Sequence, residues 1–147
     1  SMPMLMALDH VLGSQKLTGR SEMRAHKSVM NQLIAQCSRK IEGGQDVFKR
    51  CLQCHTPDKG GRNLVGPNLW GVIGRKVGQA AGFPYSEAMK TKGGEWTWPE
   101  LIKYLHDPKT AVPGNKMAFP GVKDDVELAD LLFYMRKLAD APPALPK

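Results

Sequence analysis

Three cysteines in 147 residues are too few, and odd in number, for a disulfide framework. Aromatic side chains are scarce as well, at 7 % of the chain, although hydrophobic residues at 41 % suffice for a core. No run of about eighteen apolar residues occurs, which excludes a membrane-spanning helix. Neither repeats nor low-complexity segments are present, and the length fits one compact domain with room for an appendage. The opening SMPMLMALDHVLGSQ lacks the basic, apolar, small-residue order of a secretory signal. Ser1 before Met2 reads as an artificial addition, so a cleaved signal could have preceded this sequence.

Charge is plentiful but uneven. The net charge is +7. Residues 1–40 carry six basic and two acidic side chains, whereas residues 49–116 carry eleven and five. From Met117 onward the balance reverses, with four basic and five acidic. No nucleic-acid-binding motif accompanies the positive charge, so a nucleic-acid partner is not expected.

Periodicity divides the chain at residue 40. Met23, Met30, Leu33, Ile34 and Cys37 recur at helical spacing, predicting an amphipathic helix over 22–38 in an N-terminal extension of residues 1–40. The glycines of "EGG" at 42–44 are expected to punctuate the boundary with a second unit, 41–147. Short helices are predicted over 45–53, 86–91 and 99–106, the last with Thr97 as its cap and Pro99 early in the helix. The longest helix is predicted over 124–138, with an acidic start and a basic end that suit its dipole. No strand is expected, and the fold class is all-α. The proline-rich end, APPALPK, is expected to be a tail. Between residues 56 and 85, seven glycines and three prolines leave no room for regular structure. "DPKTAVPGNKMAFPG" likewise reads as loop. A long loop in a small domain signals a function. Here it is expected to wrap something that supplies the missing core.

That something is indicated by CLQCH, Cys51 to His55. A zinc site would need four ligands, and no second Cys/His pair stands at the usual spacing; His10, His26 and His106 are scattered. A redox dithiol would need a βαβ setting, which is missing. Covalent haem fits: each thiol adds to a vinyl group, and the adjacent imidazole binds the iron. A carrier also needs a second axial ligand. Met117, in the proline-braced loop PGNKMAFPG and 62 residues beyond His55, is the candidate. Its soft thioether would raise the potential relative to a second imidazole. His26 is not favoured for that place.

FKRCLQCHTPDKGGRNLVGPNLWGVIGRKVGQAAGFPYSEAMKTKGGEWTW, followed by YLHDPKTAVPGNKMAFPG, closely resembles class I cytochrome c, of the mitochondrial type or its short bacterial relatives. The resemblance covers roughly residues 42–140. It implies short helices and long loops wrapped around one covalent haem c. Cys51 and Cys54 would hold the thioethers, and His55 and Met117 would be the axial ligands. The Pro67 carbonyl would accept the proton of the other His55 nitrogen. Arg75, Tyr85 and Trp96 would hydrogen-bond a haem propionate, and Tyr104 and Asn115 would lie beside Met117. Gly44 and Phe48 would pack on Leu131 and Tyr134 where the first and last helices cross. Two positions depart from the family pattern: Asn63 stands where many relatives carry histidine, and Met89 where asparagine is common.

The implied activity is one-electron transfer by a carrier rather than an enzyme, between a quinol–cytochrome c reductase and a terminal oxidase or other redox protein. Lys49, Arg50, Lys109 and Lys116 are expected to ring the haem edge and steer transient redox partners by charge, with Lys59, Lys76, Lys90 and Lys92 contributing; Thr110, Asp124 and Asp125 interrupt that ring. Haem attachment outside the cytosol points to a periplasm, or alternatively to a mitochondrial intermembrane space. Cys37 is expected to be a free thiol or buried, with a dimer disulfide as the alternative, so an oligomer through the extension stays open. Two other classes also stay open: a haem-based catalyst or sensor, if Met117 leaves the iron, and a haem-free interaction module.

Overall fold

A computed structural model describes residues 26–35 and 41–146. Residues 26–34 are helical (α1). The remainder of the predicted 22–38 helix apart from Ala35 lies outside the described residues, as does Cys37. Val29 and Leu33 are buried in the same hydrophobic cluster as the residues of the later helices, so this part of the extension packs on the domain that follows.

α2, Ile41–Phe48, corrects the reading of Glu42, Gly43 and Gly44 as a boundary, because all three lie inside the helix. The helix ends at Phe48, short of the expected 53, and hydrogen-bonded turns carry the chain on through Cys54. Helix propensity alone would discourage two glycines here, but packing overrides it. A Cβ on Gly44 would stand against the Asp130 carbonyl and 2.6 Å from Cβ of Tyr134. Only glycine lets α2 press this closely on α6, Asp125–Arg136. Beside the crossing, the rings of Phe48 and Tyr134 lie 5.2 Å apart.

α6 starts where its acidic run predicts. Asp124 is the cap, its carboxylate accepting from the N–H of Glu127 at 2.9 Å. α3, Glu87–Lys92, is capped by Ser86. α4, Trp98–His106, is capped by Thr97 with proline in its first turn. α5, Pro108–Ala111, is a single turn within the segment expected to be loop. Among the described residues there are no strands, only one isolated bridge between Lys76 and Glu95. No helix among them is long and apolar enough to cross a membrane.

The tail is not helical, but it is held. Ala144 and Pro143 offer their carbonyls to the indole of Trp98 and to Nε of Arg136, Asp140 pairs with Lys59, and Leu145 packs on the core.

Candidate functional site

The turns after α2 place the CLQCH residues by backbone bonds. The N–H groups of Cys54 and His55 both donate to the Cys51 carbonyl, at 3.1 and 2.9 Å. Both thiols are free and half-buried. Burial pushes the Cys51 thiol up to about 11, with Arg50 opposing that shift and Cys54 adding to it. The free sulfur therefore stays protonated at neutral pH, which does not suit a reactive dithiol. No group of three or more His, Cys, Asp or Glu among the described residues could hold a metal ion by itself.

His55 Nδ1 donates to the Pro67 carbonyl at 2.7 Å. A carbonyl can only accept, so Nδ1 carries the proton and the neutral ring keeps a lone pair on Nε2, the form a metal ligand needs. Burial lowers the His55 pKa; the Pro67 bond opposes that shift and Arg75 adds to it. The neutral ligand form is thereby favoured. Gly66 makes this approach possible, since a Cβ there would fall 2.7 Å from both ring nitrogens. The sequence reading assigned Gly66 no role; its place before Pro67 was the available signal.

Met117 sits half-buried in its loop, and its N–H donates to Oδ1 of Asn115 at 2.8 Å. The Asn115 amide in turn donates to the carbonyls of Pro108 and Val112. The Tyr104 hydroxyl lies 3.9 Å from the Met117 sulfur. Tyr104 also packs against Trp96, with ring centroids 5.0 Å apart.

Arg75, Tyr85 and Trp96 are brought together. The Trp96 backbone N–H donates to the Arg75 carbonyl at 2.8 Å, and the Tyr85 hydroxyl, which accepts from Ala80 N–H at 3.1 Å, acts electrostatically on the Arg75 guanidinium. Arg75 Nη1 donates to the Asn68 carbonyl, but its Nε is buried without a partner, as is Trp70 Nε1. A buried guanidinium N–H left over in this way suits an anionic acceptor. Two free thiols, an imidazole with an available Nε2 and this orphaned donor fit a sulfur-tethered haem bearing carboxylates.

Asn63 bridges two loops, its amide donating to the Ala81 carbonyl at 3.0 Å and its oxygen accepting from Asn68 N–H at 2.9 Å. Met89 is buried in α3.

Most of the expected steering cations are internally paired. Lys49 meets Asp46, Arg50 meets Glu127, Lys59 meets Asp140, Lys90 meets Glu87 and Lys92 meets Glu100, at 2.7 to 3.4 Å. Lys76, Lys109 and Lys116 have no ion-pair partner among the described residues. An open cavity of about 460 Å³ is lined by Asp107, Lys109, Ala118, Phe119 and Pro120, next to Met117 in the chain.

Residues 41–139 match the family model described as Cytochrome c. The chain is 46 % identical over 107 residues to a cytochrome c homolog of Bradyrhizobium diazoefficiens, covering 72 % of this chain and 58 % of that relative. It therefore spans less than two thirds of that protein's length. Over 94 residues it is 46 % identical to cytochrome c2 of Blastochloris viridis, covering 64 % of this chain and 74 % of that one. Among solved structures, cytochrome cH from Methylobacterium extorquens aligns with a TM-score of 0.62 and 39 % identity, covering 67 % of this chain and 98 % of that one.

Proposed function

Because the chain belongs to the cytochrome c family, whose cofactor is a covalently bound haem c, we propose that it carries single electrons between redox proteins through a haem held by Cys51, Cys54, His55 and Met117. The cysteines would form the thioether tethers, and His55 Nε2 and Met117 Sδ would hold the iron. When bound, the haem supplies one reversible electron on its iron. The observation that carries this reading is the His55–Pro67 bond, which fixes the proton on Nδ1 and leaves Nε2 to coordinate.

The other residues hold these groups in place and keep water out. Asn115 fixes the backbone of Met117, and the Tyr104 hydroxyl points its dipole at the sulfur. Arg75, with Tyr85 and Trp96 beside it, would neutralise a haem carboxylate through the unpartnered Nε. If His55 and Met117 both hold the iron, substrate chemistry there would be disfavoured, which supports a carrier rather than an enzyme.

The partners are a quinol–cytochrome c reductase and a terminal oxidase or other redox protein, met briefly in a periplasm. The mitochondrial intermembrane space is the alternative compartment. Residues 41–147 form the haem domain, and residues 1–40 are an N-terminal extension whose helical part packs on it.

Mass spectrometry of the denatured, natively matured chain tests the tether. One haem retained by the wild type and lost from a Cys51→Ala/Cys54→Ala variant is expected. A wild-type mass equal to the polypeptide alone would refute it.

A further inference from the structure

The structure places exposed apolar side chains beside one of the tethering cysteines. Gly66 N–H donates to the Cys54 carbonyl at 2.7 Å, and Leu64 N–H donates to the Gly66 carbonyl at 2.9 Å, so the 64–66 turn is seated on Cys54. Leu64 is 41 % exposed and Val65 78 %, and Leu52, between the two cysteines, is 45 % exposed. These are three of the six large hydrophobic residues exposed among the described residues, and all three flank Cys54.

Resting on the carrier reading above, we propose that Leu52, Leu64 and Val65 form the docking patch for the redox partner, and that the partner presents an apolar face rather than an acidic one. Two observations favour this occupant. The 64–66 turn is bonded to Cys54, so an apolar partner seated on it would lie against a residue proposed to hold the haem. Five of the eight cations expected to attract an acidic partner are instead tied in ion pairs within the chain. A neutralised pair is a short dipole whose field fades faster than that of a free charge, so it steers little. Apolar contact carries no such range, but it holds the complex once formed, and salt does not screen it.

The test is the second-order rate of oxidation of the reduced holoprotein by a purified cytochrome c oxidase, followed from low to high ionic strength. The expected result is a rate that changes less than about threefold, where strong steering would give ~10-fold or more. A Leu64→Ser/Val65→Ser variant should react roughly tenfold more slowly with the oxidase, by loss of apolar burial. Its reduction by a small uncharged reductant should be unchanged, showing an intact haem environment. A steep fall with salt, or an unaffected variant, overturns the inference while leaving the carrier reading intact. So does a change in the small-molecule rate, which would place the effect at the haem. A concentration-dependent dimer abolished by the variant would assign the patch to a second copy. A faster oxidase reaction on removal of residues 1–25 would assign it to the chain's own extension. Either result overturns the inference. Failure of the wild type to react with the oxidase at all overturns the carrier reading and this inference together.

Discussion

One methyl group at residue 66 would land on the imidazole of His55. Gly66→Ala is therefore expected to push the ring off the Pro67 carbonyl, destabilising the protein by about 1–3 kcal/mol as overpacking does. Urea unfolding measures that loss. The absorption spectrum should change with it, because the same ring is the proposed iron ligand. At the same scale, Asn63 spans the 63–68 and 81 backbones through both ends of its amide. A non-titrating side chain thus makes the loop-bridging contact at a position where histidine is common. The charged residues are less telling one by one, since their pairs lie on the surface, where each stabilises by well under about 1 kcal/mol.

Among the elements, the α2–α6 crossing gives the sharpest contrast. Gly44→Ala should cost about 1–3 kcal/mol, because the new Cβ meets the Asp130 carbonyl and the Tyr134 side chain, neither of which can retreat. Gly43→Ala meets only the Asp130 carboxylate, at 3.2 Å, and gains helix propensity of about 1 kcal/mol, so it should be near neutral or stabilising. Equal losses at the two positions in thermal unfolding would contradict this packing.

α5 supplies a pH test. Its cap, Asp107, has a carboxyl held below the usual range chiefly by the hydroxyl and N–H of Thr110. A depressed folded-state pKa adds stability above the ordinary carboxylate value, and that stability is lost as pH falls through the depressed one. Asp107→Asn should therefore be less stable than wild type at neutral pH, with the gap closing progressively below about pH 4. A gap that persists unchanged at acid pH would count against the ionised cap.

How much of this was legible in the sequence depended on the range of the cause. The ends of α3, α4 and α6 follow from neighbours a few residues away, and Thr97, Pro99 and Asp124 announced them. α5 carried the same kind of signal, an Asp-Pro cap with Thr three residues on, but the surrounding glycines and prolines outweighed it. The start of α2 was hidden for a different reason: the partner that demands Gly44 lies 86 residues further along the chain. At the site, CLQCH pointed to the haem within five consecutive residues, and PGNKMAFPG offered the methionine proposed as the second ligand. The ion pairs that quiet the basic surface could not be read from composition, because three of the five, Arg50–Glu127, Lys59–Asp140 and Lys92–Glu100, join residues that helical periodicity leaves unrelated.

Over the whole molecule, the segment from Thr56 to Tyr85 has turns and scattered backbone bonds but no helix. Such a loop needs a packed surface to lie on, and the haem is proposed as that surface. The Cys51→Ala/Cys54→Ala variant, which cannot tether it, should therefore lose most native helicity by circular dichroism. Full helicity without the cofactor would mean that the protein core is sufficient by itself.

The most direct test of the carrier reading is a carbon monoxide titration of the reduced holoprotein, followed by absorption, with wild type and Met117→Ala side by side. With the Met117 thioether proposed as the sixth ligand, the wild type is expected to stay unreactive and the alanine variant to bind the gas readily. Rapid binding by the wild type, or a variant as inert as its parent, would contradict iron clamped between His55 and Met117.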